Sequence, residues 1–292
     1  MPPEVVDLPG FTILKKLGVG ARSTIYLAKD DQTNSQIALK RAILEKPEDT
    51  RIFEQIENEY KIAQQIDHPY IRKCFKLIKR RKLMKVNELL MSMEYFEGET
   101  LENYRGLSLI DCCLVFRMVA TALNAMHAKG YIHCDLKPNN IMINKEGQIR
   151  IIDLGQGCKI GTIKTRIQGT PDYIAPEQVR RHRLDYRTDV FNLGATMYWA
   201  FTGKNVPTLI PQNNSGLTVA SLTGAAAEVR TPSQIQPKIN PGISKLIMEC
   251  VNEDPLRRPS NMSDIISRLD LLIHSIFGNK LKANGTASPA NT

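Results

Sequence analysis

The sequence predicts an α+β fold of two lobes, a small β-rich lobe carrying one key helix and a larger helical lobe behind it. Three observations predict this. The first third is a run of short, β-branched segments separated by turn residues, the pattern of strands. After Glu97-Gly98 the apolar residues recur at helical spacing instead. A length of 292 residues exceeds what a single core usually fills, which favours one large domain or two lobes sharing an interface.

In chain order, strands are expected at Phe11 to Leu17, Thr24 to Lys29 and Gln36 to Ile43, with Asp30 to Ser35 as a turn. A helix should follow from Arg51 to Ile66, where Ile52, Ile56, Tyr60 and Ala63 mark one face. Asp67-His68-Pro69 ends it. Two more strands are expected at about Arg72 to Ile78 and Glu88 to Tyr95, joined by a basic turn, Lys79-Arg80-Arg81-Lys82. Residues 1–96 form the first lobe on this reading. The second, 97–278, opens with a helix that starts in a capping-box-like Ser108 to Asp111 and runs to about Lys129, with Gly130 as its stop. Leu114, Met118, Ala122 and Met126 are its expected core face. Short strands at Ile141 to Ile143 and Ile149 to Ile152 flank a turn, and helices then dominate to Phe277. An apolar stretch from Val219 to Val229 reads either as a docking helix or as ordinary lobe packing. Residues 279–292 are polar and small, the composition of a disordered tail.

Hydrophobic residues make up 42% and charged residues 24%, an ordinary balance for a globular domain, and the longest apolar runs fall short of a membrane span. Met1 to Gly10 carries Pro2, Pro3 and two acidic residues where a secretory signal would be basic and then apolar, so a cytoplasmic chain is expected. Six cysteines without CxxC spacing read as reduced thiols rather than a zinc site. The net charge of +9 is concentrated in Lys79 to Lys82 and Arg180 to Arg183. Nucleic acid or an anionic membrane is the sharper reading of those runs, and two solvated loops the plainer, preferred one.

Chemistry concentrates at four places. Gly18-Val19-Gly20 lies between two strands, where glycines let backbone N–H groups close over phosphates, although a plain hairpin would look the same. Strand alternation puts Lys40 on one face with Ala38 and Ala42, leaving room for a flat ligand beside a cation. On the helix at 51–66, Glu59 falls inside the apolar stripe whereas Glu54 and Glu57 point outward. An inward carboxylate needs a partner, and Lys40 is the natural one. Finally, His133-Cys134-Asp135-Leu136-Lys137-Pro138-Asn139-Asn140 precedes Ile151-Ile152-Asp153-Leu154-Gly155. Two carboxylates and an amide across a short hairpin suit a site that accepts a hydroxyl proton and ligates Mg²⁺ through oxygen.

With those motifs in order from about Phe11 to Leu272, the chain resembles the eukaryotic-type (Hanks-type) serine/threonine protein kinases. Its compact lobes are similar to bacterial members. The resemblance implies ATP and Mg²⁺ as cofactors and proteins with Ser/Thr hydroxyls as substrates. It implies a bilobal protein-kinase-like fold with the nucleotide in the first lobe. Gly18 and Gly20 would cover the phosphates, Lys40 would hold them with Glu59 as its partner, Met93 would be the gatekeeper, and Glu94 and Phe96 would offer hinge backbone to adenine. Asp135 would be the catalytic base, Lys137 the lysine beside the γ-phosphate, and Asn140 and Asp153 the metal ligands. Thr170 would face substrate, Glu177 would pair with Arg258, and Asp189 would support the catalytic loop.

Departures from the family pattern fall at Ser23, Leu154, Phe191-Asn192 and, with most consequence, Cys134, where arginine is usual. That arginine normally pairs with a phosphorylated activation loop, so its loss predicts activity without loop phosphorylation. Arg166, four residues before Thr170, stands where the activating phosphothreonine is commonest, and pairing with an acidic neighbour would let it order the loop in place of the phosphate. Cys134 itself reads as an inert small residue, with a redox role as the alternative. The competing functions are a pseudokinase scaffold, disfavoured because each metal, base and phosphate position is filled, and a small-molecule phosphotransferase, which would lack the Gly169-Thr170-Pro171 to Ala175-Pro176-Glu177 segment.

Overall fold

The computed structural model describes residues 8–20, 22–44, 50–209 and 229–285. The first lobe contains β1 (Phe11–Val19), β2 (Ser23–Asp30), β3 (Gln36–Ile43), α1 (Thr50–Ala63), β4 (Cys74–Lys82) and β5 (Lys85–Glu94). Its five strands form one antiparallel sheet in the order β1-β2-β3-β5-β4. Alternation along β3 and β5 gives this sheet two faces. Ile37, Leu39 and Leu90 pack outward under Leu8 and Phe11, whereas Ala38, Ala42, Leu89, Met91 and Met93 join the main core with α1. The β2–β3 turn is closed by Asp30, whose Oδ1 accepts from the N–H groups of Gln32 and Thr33.

The basic run is not the turn that the sequence predicts. Lys79 to Lys82 continue β4, and the turn is Leu83-Met84, both at positive φ. Carboxylates within reach of the strand offset its charge: Lys79 pairs with Glu57, and Arg80 with Glu88 on β5, which also takes Arg41 of β3. The expected strand beginning at Arg72 starts instead at Cys74. Residues 70–72 are drawn to the second lobe, where Arg72 N–H donates to Ile151 O and Ile151 N–H to Tyr70 O.

The second lobe continues with β6 (Glu99–Thr100), α2 (Leu109–Ala128), β7 (Tyr131–Ile132), β8 (Ile141–Ile143), β9 (Ile149–Ile151) and β10 (Cys158–Lys159). Strands β6, β8 and β9 form one small sheet, and β7 pairs with β10. Helices α3 (Pro176–Val179), α4 (Tyr186–Thr202), α5 (Pro232–Ile235), α6 (Pro241–Cys250) and α7 (Met262–Gly285) follow. Ser108 caps α2 in a reciprocal box with Asp111, as its sequence signature predicts. The buried face of α2 is Val115, Phe116, Val119, Leu123 and Met126, so the expected stripe is rotated: Ala122 and Met126 are buried, but Leu114 and Met118 are half-buried at its edge. This helix is long and apolar enough to span a membrane by length and composition, yet it packs against α4 and α7 as the lobe's central core helix. Gly194 lets α4 approach α6, since a Cβ there would overlap the Cys250 Cβ. Helix α7 extends past Asn279 to Gly285, so helix occupies the first part of the stretch read as a tail. Residues 219–228 of the apolar stretch lie outside the described residues, and Val229 packs on the core.

One ion pair ties the lobe's layers together. Arg258 donates from both Nη atoms to the two oxygens of Glu177, at 2.8 and 2.9 Å, and its side chain is wholly buried. Thr188 Oγ1 adds a third bond to the carboxylate, and the carbonyls of Asn252, Arg187 and Glu253 take the remaining guanidinium donors. Removing one partner strands a buried charge, which costs about 3–5 kcal/mol. Arg258→Ala should therefore lower the free energy of unfolding by about 3 kcal/mol or more, read from the urea midpoint at constant m-value. A loss below about 1 kcal/mol, the worth of a surface pair, would show that this pair does not hold the layers.

Candidate functional site

Between the lobes, charges the sequence separates by more than a hundred residues come together. Lys40 Nζ lies 2.7 Å from Glu59 Oε2, and Glu59 is 2% exposed. The helical position of Glu59 and the strand position of Lys40 thus produce the pair that they predict. The second cation was not evident: Arg72 Nη2 reaches Glu59 Oε1 at 3.3 Å. Burial pushes the Lys40 amine down, but Glu59 and then Asp153 more than offset it, and the amine is held above its ordinary value. Burial likewise raises the Asp153 carboxyl, and Lys40, the Gly155 N–H, His133 and Arg72 together bring it below the usual range.

The segment from His133 to Asn140 presents the other half of the site. Asp135 Oδ1 accepts from Thr170 N–H at 2.9 Å and from Thr170 Oγ1 at 2.8 Å. Lys137 Nζ touches both, at 3.2 Å from Asp135 Oδ2 and 2.7 Å from Thr170 Oγ1. Asn140 Nδ2 donates to the Asp135 carbonyl at 2.8 Å, which turns its Oδ1 away as a free oxygen donor for a cation. The loop's shape rests on Asp189, wholly buried at the start of α4. Its carboxylate accepts from the N–H groups of His133 and Cys134 and lies 2.8 Å from His127 Nε2. Cys134 takes a left-handed backbone, φ 64°, and Asp153 does the same at φ 62°. Those conformations cost of order 1–3 kcal/mol each and persist because the surrounding bonds over-determine them.

Asn58, one residue before Glu59, was not foreseen. Its Nδ2 donates to the carbonyls of Gly155 at 3.0 Å and Gly157 at 2.8 Å, fastening α1 to the chain that follows Asp153. Leu154 fills the core below. At the hinge, Glu94 pairs with Arg150, whose guanidinium lies 4.9 Å above the Phe96 ring. This fixes the backbone that the resemblance expects to meet adenine. In the glycine loop Gly20 N–H donates to Ser23 O at 2.7 Å, and a Cβ on Gly18 would meet nothing within 4 Å. Its smallness therefore serves no internal packing, as expected where a ligand approaches the backbone.

The activation segment is held without Arg166, which has no carboxylate partner among the described residues, contrary to its expected pairing. Neighbours reach the segment's backbone instead: Lys164 Nζ donates to Gln156 O, Arg181 to Thr165 O and Gln178 to Gln168 O. Gln178 also donates to the Cys134 carbonyl, joining the segment to the stretch from His133 to Asn140 through neutral groups. No cluster of three or more His, Cys, Asp or Glu capable of holding a metal occurs among the described residues. One carboxylate and one amide instead fit a hard cation that draws its other oxygens from phosphate and water.

A family model described as protein kinase domain matches residues 11–269. The serine/threonine-protein kinase PrkC of Bacillus subtilis is 24% identical over 263 residues, covering 87% of this chain and 39% of that protein. A cAMP-dependent protein kinase catalytic subunit-like protein of Caenorhabditis elegans is 32% identical over 192 residues, 64% of this chain and 47% of that protein. The serine/threonine-protein kinase pkn3 of Myxococcus xanthus is 26% identical over 283 residues, 89% of this chain and 50% of that protein. The chain spans half or less of the length of each of these relatives.

Asp189 carries the site's clearest acid signature. Burial raises its carboxyl, but the bond to His127, the charges of His127 and His133 and the His133 N–H outweigh it, so the folded value lies below 3.8. A depressed folded value contributes stability that is complete above about pH 4 and is lost as pH falls through the folded value. Asp189→Asn should therefore flatten the acid limb of a Tm-against-pH curve measured from about pH 6 down to about pH 2. Parallel curves for the two proteins would exclude Asp189 as a source of acid sensitivity.

Proposed function

The chain belongs to the protein kinase domain family, and from that premise we propose that it transfers the γ-phosphate of Mg²⁺-ATP to serine and threonine hydroxyls of protein substrates. One observation carries the reading. The hydroxyl of Thr170 already sits between the Asp135 carboxylate and the Lys137 ammonium, donating to one and accepting from the other. A substrate alcohol needs the same two groups, an acceptor for its proton and a cation for the charge that moves to the phosphoryl oxygens. The Lys137 and Thr170 combination is also the serine/threonine pattern of the resemblance.

In this reading Asp135 orients the acceptor hydroxyl and takes its proton as the new O–P bond forms, while the bond from the γ-phosphorus to the bridging oxygen breaks and ADP leaves. Lys40, clamped by Glu59, would hold the α- and β-phosphates, and the backbone about Gly18 and Gly20 would cover them. Asn140 and Asp153 would hold the metal through oxygen. Bound Mg²⁺ would neutralise phosphate charge during an in-line displacement that depends mostly on positioning. Glu94 and Phe96 would offer backbone groups to adenine. All six cysteines are free thiols, which suits a reducing, cytoplasmic setting.

Asp153→Ala and Asp135→Asn should each lower kcat by about 10³-fold or more, close to 4 kcal/mol of barrier, in a Mg²⁺-ATP assay on a degenerate Ser/Thr/Tyr peptide library. Most activity surviving in either variant would remove the assignment, and transfer to tyrosine alone would overturn the acceptor class.

We further propose that turnover does not require a phosphorylated activation segment. Cys134 cannot make the bidentate ionic contacts an arginine makes to phosphate, and Lys164, Gln178 and Arg181 hold the segment's backbone in its unmodified form. Phosphatase-treated enzyme should form product linearly from the first seconds, and a Thr162→Ala, Thr165→Ala double variant should keep most of its kcat. A lag that shortens with enzyme concentration, or a loss of about tenfold or more, would instead indicate switching by trans-phosphorylation.

A further inference from the structure

The six thiols divide by environment. Cys74, Cys112, Cys113 and Cys250 are buried, and burial pushes each up to about 12, which makes them poor nucleophiles. Cys134 and Cys158 are different because they face each other. Their Sγ atoms lie 3.6 Å apart, one on the catalytic loop immediately before Asp135, the other on β10 at the start of the activation segment. Strand β10 pairs with β7 through Cys158 and Ile132, two residues before Cys134, which sets Cys158 beside the loop that carries Cys134. Cys134 is wholly buried, whereas Cys158 is half-buried and within reach of small solutes.

We propose that Cys134 and Cys158 form a disulfide-forming modification site, oxidised by hydrogen peroxide, which covalently joins the catalytic loop to the activation segment. Cys158 is the attacking sulfur. The hydrogen bond from Cys134, with Lys164 and Thr162, holds the Cys158 thiol below its ordinary value, whereas that same contact and burial push Cys134 well above. In the first step the Cys158 thiolate attacks the peroxide. An S–O bond forms, the O–O bond breaks, and the departing hydroxide leaves as water with the proton from Cys158, giving a sulfenic acid. In the second step Cys134 attacks that sulfur, the S–S bond forms, the S–O bond breaks, and hydroxide leaves as water with the Cys134 proton. Two thiols and one peroxide give one disulfide and two waters, with two electrons passing from sulfur to oxygen.

The sulfurs must close from 3.6 Å to about 2.05 Å. Cys134 is the fixed side, since its N–H donates to Asp189 and its carbonyl accepts from Gln178. Cys158 is the yielding side, on a strand of two residues. The movement therefore falls on β10 and leaves the backbone of Asp135 in place. The bridge would join the two segments that arginine and phosphate join in relatives with an arginine at this position, using a bond that neither salt nor a phosphatase removes.

The test uses the whole folded chain and reads no catalytic activity, so it stands apart from the kinase assignment. The protein is treated with about one equivalent of hydrogen peroxide, unfolded in alkylating reagent and digested with trypsin. The expected result is a dithiothreitol-sensitive link between the peptides Gly130 to Lys145 and Ile151 to Lys159. The other four cysteines should be alkylated, and Tm should rise by about 5 °C on oxidation, as expected for closing a loop of this length. Cys158→Ser should abolish the link. Cys134→Ser, the variant that keeps the attacking sulfur, should stop at a dimedone-reactive sulfenic acid on Cys158. Folded, peroxide-treated protein with both cysteines unlinked would overturn the proposal, as would links scattered over all six cysteines.

Discussion

Glu59 has almost no contact with water, and a carboxylate so placed must be surrounded by positive charge or the fold around it becomes unfavourable. That requirement organises the cleft. It draws Lys40 across from β3 and Arg72 up from the connection into β4. The positive charge it recruits then depresses the carboxyl of Asp153, which arrives from the second lobe behind β9. Three segments of the first lobe and one of the second are thereby held to a common geometry by charges that would each be costly alone. The segment 70–72, bonded to Ile151, supplies the backbone half of the same connection.

The second lobe repeats the device with a different acceptor. Asp189 holds two consecutive backbone N–H groups, forcing the left-handed turn at Cys134 that presents Asp135 to the cleft. Glu177 and Arg258 do the same for the layers behind it. In each case one buried carboxylate is satisfied by donors from distant parts of the chain, so the polar groups specify the arrangement that the hydrophobic contacts stabilise. The apolar core is continuous across both lobes and would tolerate many small adjustments, whereas these carboxylates tolerate few.

Much of this was legible in the sequence because it follows from period and chemistry. Strand alternation placed Lys40 between two alanines, a helical projection placed Glu59 inward, and their pairing follows from the cost of leaving either alone. Asp135, Asn140 and Asp153 were legible through motif spacing. What stayed hidden depends on chain without period. Arg72 lies in an irregular segment, and only the demand of Glu59 for more positive charge hinted at it. Asn58 faces a loop rather than the sheet, so no stripe marks it. The strand through Lys79 to Lys82 was misread because its charge is offset by carboxylates on other elements, Glu57 and Glu88. Arg166 was expected to pair with an acidic neighbour that the sequence does not identify, and no carboxylate meets it among the described residues. Cys158 had no signal at all, since its significance comes from the ladder that sets it opposite Cys134.

Asn58 makes α1 and the chain after Asp153 into one mechanical element. Thermodynamic linkage then imposes a symmetry on the protein. Any ligand that favours this arrangement of Asp153 must favour this seating of α1 by the same free energy, and a partner that pushes α1 aside must weaken the ligand equally. The outer surface of α1, where Glu57 meets Lys79, is therefore a lever on the cleft without being part of it. Contact there would be read as a change in affinity at a site it never touches.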